Sequence, residues 1–305
     1  MRVLGIDENG LGPRLGPLVA TAVGFELDSY APKVLRKLGA RLGLDDSKQV
    51  SGFGQMAHAE SVALAVIEAV TGDLPRCSDE ALRCMSIDSD EVLQRLCPTE
   101  SMHQCWQPSH SVALPAFGGA VDDGRRILDR LRLAGVRVWH GRSAIACAGM
   151  LNHKAAFGQN RLRVNLSLFE RLLLEARSAA TGDVYAICGM VGGIRFYPAY
   201  VQHFSREALE LLSAPKGWCS YRVAGFGEVH FVVDADRLHL PVALASIVGK
   251  YLRELAMARL HHFYVKHELS LPKVSGYHEP RTEQFVRRTA TLRRRLGIAN
   301  QCFER

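Results

Sequence analysis

Apolar and polar positions along the chain follow two alternating rhythms. Residues 3–6 form a short unbroken apolar run, and residues 18–27 form a longer one that is partly β-branched. Runs this short, bounded by glycine and proline, predict buried strands, the second paired with the first. Residues 136–147, 184–188 and 229–233 read as further strands, and 184–188 is the continuous kind buried on both faces. Helical spacing appears over 55–70, 80–96 and 125–133, after a short basic helix that precedes Gly43. It is strongest over 162–176, where Leu162, Leu166, Phe169, Leu172 and Leu173 share one face. Pro241 opens a long helix, since a first turn has no use for the missing N–H. Leu244, Val248, Leu252 and Leu255 give that helix an apolar stripe. Strands alternating with helices predict an α/β layer fold.

Residues 73–124 break the pattern. They hold four of the eight cysteines, Trp106 and Gly118-Gly119, with no clean period beyond the one helix. A stretch of this length without regular structure reads as an inserted surface excursion. The chain divides into one domain over 1–270, carrying that insertion, and a helical extension of the same domain over 271–305. The tail from Arg281 is basic, and its arginines at 287, 288 and 293–295 are expected on a solvated helix face. No internal repeat is visible.

Composition narrows the class. Hydrophobic residues make up 48% and charged residues 23% of the 305 positions, a globular balance that excludes disorder. No apolar run approaches the roughly 20 residues needed to span a bilayer. The chain opens directly on a strand, without a secretion-signal profile, so a cytoplasmic protein without membrane contact is expected. The cysteines, at 77, 84, 97, 105, 147, 188, 219 and 302, include no Cys-x-x-Cys pair. Neither a zinc site nor a disulfide framework is therefore expected, and most should be buried thiols. A net charge of +7 favours a polyanionic partner.

The chemistry concentrates in Leu4-Gly5-Ile6-Asp7-Glu8-Asn9-Gly10-Leu11-Gly12-Pro13. Two adjacent carboxylates are expected where the first strand leaves the sheet, ahead of a loop built from Gly10, Gly12, Pro13, Gly16 and Pro17. Neighbouring strand residues point to opposite faces, so one acid projects directly into a common site. The other reaches it only if the loop bends back, which glycine permits. Such carboxylates suit a hard divalent cation. The plainer alternative is a solvated turn with incidental acids. Two other strand ends carry comparable loops: 184–188 runs into Gly189, and 229–233 ends at Asp234-Ala235-Asp236. A sheet that gathers acids at its strand ends can hold two cations and hydrolyse a phosphodiester.

Taken in order, these motifs resemble bacterial ribonuclease HII, the type 2 ribonucleases H. The family's opening Gly-x-Asp-Glu-x-Gly-Arg-Gly-Pro is matched by Gly5 to Pro13, and Gly16-Pro17 fits as well. Its Asp-Ser-Lys is present as Asp46-Ser47-Lys48. Its later Asp, ahead of Ala-Ser-Ile-x-x-Lys, is Asp236 ahead of Ala245-Ser246-Ile247-Val248-Gly249-Lys250. Its Arg-Asp becomes Arg253-Glu254, and its Gly-Tyr is Gly276-Tyr277. The resemblance implies a ribonuclease H-like fold, a mixed sheet flanked by helices with a helical C-terminal region. It implies endonucleolytic cleavage of RNA in RNA–DNA hybrids, with Asp7, Glu8 and Asp236 both catalytic and ligands to two Mg²⁺ or Mn²⁺ ions. Gly10, Leu11, Gly12, Lys48 and Tyr277 would meet the substrate, and a monomer is expected. Two positions depart from the family. Gly189 stands where a third catalytic Asp belongs, and Leu11 replaces the arginine of the loop that reads the ribose 2′-hydroxyl.

Bland and functional roles compete at several positions. Lys48 contacts a phosphate or is tethered by Asp45 or Asp46. Asp234, two residues before Asp236 on an extended strand, would share its face about 7 Å back, and is expected to cap or pair structurally. Lys250 packs its stem on the sheet and turns its charge toward the acids. Glu254 pairs with Lys250 at i,i+4 rather than binding metal. Tyr277 stacks on a base or sugar, or is a partly buried core edge. The alternative from another class is a non-catalytic nucleic-acid-binding protein that keeps the fold, which Gly189 favours. A small-molecule enzyme binding a nucleotide on the glycine loop is weaker, because the loop sets acids beside its glycines.

Overall fold

A computed structural model describes residues 1–44, 55–97, 104–105, 108–267 and 270–305. Among the described residues, seven strands form one mixed sheet in the order β3-β2-β1-β4-β7-β6-β5. The strands are β1 (Arg2–Asn9), β2 (Leu18–Glu26), β3 (Arg137–Ala146), β4 (Val184–Gly189), β5 (Leu209–Ser213), β6 (Trp218–Val223) and β7 (Gly227–Val232). β1 is central. It runs antiparallel to β2 from Arg2↔Glu26 to Asn9↔Val19, and parallel to β4 from Arg2↔Val184 to Ile6↔Cys188. β4 in turn runs parallel to β7. The expected α/β class, a mixed sheet flanked by helices with a helical C-terminal region, is what the chain forms.

The helices are α1 (Pro32–Arg41), α2 (Ala57–Thr71), α3 (Ser78–Met85), α4 (Asp90–Gln94), α5 (Val121–Leu133), α6 (Ala148–Ala156), α7 (Arg161–Ala179), α8 (Ala235–Leu238), α9 (Leu240–Val265), α10 (Pro280–Arg295) and α11 (Asn300–Phe303). α9 is the organising helix and packs on β1 and β2. The approach is close enough to forbid a side chain at Gly5, where a Cβ would stand 2.2 Å from the carbonyl carbon of Pro241. α7 covers β2, β3 and β4, burying Leu166, Phe169, Leu172 and Leu173 as its stripe predicts.

Three elements escape the sequence pattern. β5 lies at the sheet edge and is mostly exposed, so its ladder bonds to β6, not burial, define it. β6 and α6 also lack a distinctive period. The single helix expected over 80–96 is two, α3 and α4. The chain turns extended at Ser86 (φ −67°, ψ 137°), where it bridges Ser143, and Ser89 caps α4 through the Val92 amide.

The excursion is tied to the core by buried polar groups. Glu60 on α2 accepts the amides of Ala116, Phe117 and Gly119 at 2.6, 2.8 and 2.8 Å. Arg259 on α9 pairs with Asp79 at 3.0 Å. At the C-terminal end, Leu15, Phe263, Tyr264, Phe285 and Phe303 form a second apolar cluster. Arg293 is a correction here: it is buried, with its guanidinium 3.9 Å from the ring of Phe303, rather than on a solvated face. Arg287, Arg294 and Arg295 are exposed as expected.

Candidate active site

The register of β1 explains how two adjacent acids come to share a cleft. Alternate residues on one face meet α9: Gly5 abuts Pro241, Asp7 takes a hydrogen bond from the Ser246 hydroxyl, and the Asn9 amide donates to the Ser246 carbonyl at 3.1 Å. Asp7 and Glu8 are not at the end of the strand, as the sequence suggested. They pair with Thr21 and Ala20 on the β2 side, while pairing with β4 has already stopped at Ile6. The sheet therefore opens beside them, next to Gly189. A Cβ built on Gly189 would stand 3.0 Å from Asp7 Oδ1 and 3.7 Å from Glu8 Oε2. Both carboxylates thus reach one point, and the position that lacks an acid faces both of them.

The third acid arrives from β7. That strand ends at Val232, and Asp234 takes a left-handed conformation (φ 51°, ψ 36°). Its carbonyl accepts the amides of Arg237 and Leu238 at 3.0 and 3.2 Å, which starts α8. Asp234 is consequently not on an extended strand with Asp236, and its side chain makes no capping bond. Asp236 sits within the short helix, where its Oδ1 accepts the Arg237 amide at 3.0 Å. Burial, then the charges of Glu8 and Asp236, raise Asp7 well above the usual carboxylate range, against the lowering effect of the Ser246 hydroxyl. Desolvation and like charges each disfavour the ionised form.

The acids line an open cleft of about 560 Å³ together with Asp234, Ser246, Lys250, Gly10, Leu11, Gly12 and Tyr277. Gly10 needs to be glycine on two counts: its φ is +90°, and a Cβ would lie 2.6 Å from the Pro17 carbonyl oxygen. Gly12 borders open space. Tyr277 is 49% exposed, with the Arg253 guanidinium 5.3 Å from its ring. Lys250 faces the cleft, as expected. Glu254 does not: it lines a different cavity and pairs with Arg253 at 2.7 Å, with Lys250 close enough to stabilise its charge as well. Lys48, Asp46 and Ser47 lie outside the described residues.

Three arginines build the glycine loop, and their sequence positions did not mark that role. Arg253 is buried on α9 and donates to the Ser275 carbonyl at 2.9 Å and the Leu15 carbonyl at 3.4 Å. Arg305 donates to the Gly10 carbonyl at 2.6 Å, and Arg161 to the Leu11 carbonyl at 3.3 Å. Burial, then the nearby charges of Arg253 and Arg161, push Arg305 down to about 9. For Arg253 the available signal was its place in the Arg253-Glu254 pair that matches the family's Arg-Asp. For Arg161 and Arg305 there was none.

The donor set is entirely oxygen, the kind a hard divalent cation prefers. The mutual repulsion that raises Asp7 is what such a cation would relieve. Among the described residues, no group of three or more His, Cys, Asp or Glu side chains already stands in coordinating geometry. No helix among them is long and apolar enough to cross a membrane.

Fold and site together define an α/β protein with a carboxylate cleft at the opening of its central strands. No family model matches the chain. A curated ribonuclease HII from Chlorobaculum tepidum is 40% identical over 79 residues, covering 24% of this chain and 36% of that protein. The chain thus spans about a third of that relative's length. Among solved structures it is similar to the ribonuclease HII of Archaeoglobus fulgidus in its PCNA complex (16% identity, TM-score 0.42, covering 99% of this chain and 93% of that one). It is also similar to Bst-RNase HIII in complex with Mn²⁺ (16% identity, TM-score 0.48, 100% and 66%). The ribonuclease H2 of Pyrococcus horikoshii shares 14% identity at a TM-score of 0.43, covering 99% and 92%. The similarity to a curated ribonuclease HII thus covers about a quarter of this chain.

Proposed function

We propose that this protein hydrolyses phosphodiester bonds in the RNA strand of RNA–DNA hybrids, with Asp7, Glu8 and Asp236 holding Mg²⁺ or Mn²⁺. The observation that carries this reading is the position of Asp7, whose acidity is suppressed by burial and by two further carboxylates in one cleft. A bound cation would supply the activated water and neutralise the leaving oxygen. The chain's own groups do the positioning. The Ser246 hydroxyl orients Asp7, and Lys250 offers a cation to a phosphate. The amides of the 10–12 loop face the sugar, and Tyr277 provides a half-exposed ring for stacking. Cleavage leaves a 3′-hydroxyl and a 5′-phosphate, with no covalent intermediate. The match to a curated ribonuclease HII supports the substrate class.

A second reading rests on Gly189. With no acid there, the same cleft can serve a protein that binds hybrids without cutting them. A cleavage assay on an RNA–DNA hybrid, run separately with Mg²⁺ and Mn²⁺, decides. Metal-dependent nicking that disappears in Asp236→Asn supports the hydrolase. Tight, salt-sensitive binding without nicking under either metal supports the second reading. Neither binding nor cleavage would overturn both.

A further inference from the structure

Given the proposed binding of nucleic acid in the carboxylate cleft, on which this subsite depends, we infer that the neighbouring groove takes an unpaired nucleotide of the substrate. A single-stranded extension of the hybrid stacks a base on Trp218 and lays its phosphates against Arg195 and Lys216. The groove is a cavity of about 830 Å³, larger than the cleft, and the two share Met190, Gly193, Val232 and Val233 along their walls. Strand register puts them in line. Trp218 pairs with Val232, and Val232 pairs with Gly189. Gly189 follows Cys188, the last β4 residue paired with β1, just as Asp7 follows its partner Ile6. One row on one face of the sheet thus runs from the indole to the acids. Three strand spacings of about 4.8 Å separate the ends of that row by roughly 14 Å. At about 3.4 Å per stacked step, a strand crosses that distance in a few nucleotides.

Local structure builds the groove. In the turn between β5 and β6, Gly217 has φ +80°, its carbonyl accepts the Val233 amide at 3.0 Å, and the Pro215 carbonyl accepts the Trp218 amide at 3.1 Å. The Cys219 thiol donates to the Arg195 carbonyl at 3.4 Å, which fixes the loop after β4 against β6. Both backbones are anchored while the side chains of Arg195 and Lys216 stay exposed. Among the described lining residues these two carry the charge and no acid is present, the reverse of the cleft. Val233 and Leu238 are 46% and 49% exposed, apolar surface that a base can cover. The Trp218 N–H is committed to the Ser220 hydroxyl at 2.6 Å, so the ring offers its π surface rather than a donor. A plainer role for Trp218 is packing, since its ring centroid lies 5.7 and 5.8 Å from those of His230 and His239. Packing explains those inner contacts. It does not explain two exposed cations and two exposed apolar side chains around a groove that opens into the acid cleft. Every base has a ring face, so stacking here is tolerant of sequence, and phosphate attraction adds a part that falls with salt. Bases within a paired hybrid are already stacked on one another, so an unpaired nucleotide is what this ring can receive.

The test compares binding of the full chain to a blunt RNA–DNA hybrid and to the same hybrid carrying a few unpaired nucleotides, 5′ or 3′, on either strand. Ca²⁺ replaces Mg²⁺ so that binding is read apart from turnover. One of the extended forms should bind about tenfold more tightly than the blunt hybrid, in keeping with one stacked base. Trp218→Leu should abolish that gain and Trp218→Phe should keep most of it, while both bind the blunt hybrid as the parent does. Should Trp218→Leu fail to fold, the exposed pair carries the test. Arg195→Ala combined with Lys216→Ala should remove most of the gain and lower the salt dependence for the extended hybrid alone. Equal binding of blunt and extended hybrids overturns the subsite and leaves the groove to a protein partner. So does a gain that survives Trp218→Leu, or an equal loss for both hybrids in the double variant. A protein that binds the blunt hybrid but ignores the extension fails here alone, whereas one that binds neither hybrid fails the proposed function as well.

Discussion

Gly189 is the residue on which the proposed activity turns. Its backbone is not in the left-handed region, so the conformational objection to an acid there disappears, and the space for one lies directly against Asp7 and Glu8. The tight contact, 3.0 Å to Asp7 Oδ1, is with the end of a side chain that can give way. Gly189→Asp should therefore fold and raise Mg²⁺-dependent cleavage by about two or three factors of ten, roughly 3–4 kcal/mol of barrier. Mg²⁺ is the sensitive metal because it demands near-ideal octahedral ligands, and Mn²⁺ should depend less on the added acid. A well-folded Gly189→Asp protein no faster than a parent already active with Mg²⁺ would sink this account of the gap. Asp7→Asn makes the complementary case. It removes a negative charge from the cleft, so hybrid binding at low salt should be equal to or tighter than the parent's while cleavage is lost. Filter binding across a salt series reads this, since phosphate contacts weaken steeply with salt.

At the scale of elements, the packing of α2 and α9 against the excursion depends on one buried carboxylate. Glu60 is fully buried, receives three backbone amides and the Tyr251 hydroxyl at 3.3 Å, and thereby fixes residues 116–119. Glu60→Ala strands those donors in a dry environment and should cost about 3–5 kcal/mol. Glu60→Gln, which keeps one acceptor, should cost less. Urea unfolding of the two variants measures the difference, and equal losses would mean that packing, not hydrogen bonding, holds the segment. The same scale shows why helix boundaries were partly legible. α7 and α9 carry stripes that burial rewards, and both appear where their stripes begin. α3 and α4 were read as one because the break between them is set by a bridge from Ser86 to Ser143, a contact across 57 residues of chain that no local pattern encodes.

The whole molecule should be acid-sensitive. Burial, reinforced by nearby Lys266 and Arg259, pushes His110 down to about 4, and burial, then His230 and Arg36, does the same to His239. Both are nearly inaccessible, and His239 Nδ1 is 2.8 Å from the Tyr30 hydroxyl. With folded values below the unfolded 6.5, the unfolded chain binds protons first as pH falls. Their stabilisation is complete above about pH 6.5 and is lost progressively down to about 4, by up to roughly 3 kcal/mol for each group. Thermal melts at pH 7 and 4.5 should show the fall, and His239→Gln should flatten part of it. An unchanged melting temperature across that range would refute the assignment.

What the sequence determined by itself was the layered α/β class, the principal strands and helices, and the acids Asp7, Glu8 and Asp236 as one set. Apolar period follows from burial, and burial is written locally. The tertiary structure decided the rest. Asp7 and Glu8 meet at a common point because β4 stops pairing three residues earlier than β2 does, a matter of register between strands far apart in sequence. Asp234 left the strand because a left-handed turn starts α8. Arg161, Arg253 and Arg305 hold the glycine loop through carbonyls, which any residue supplies and no motif marks. Such proximity is created by packing between distant segments, and spacing along the chain reveals it only where the residues share one local element.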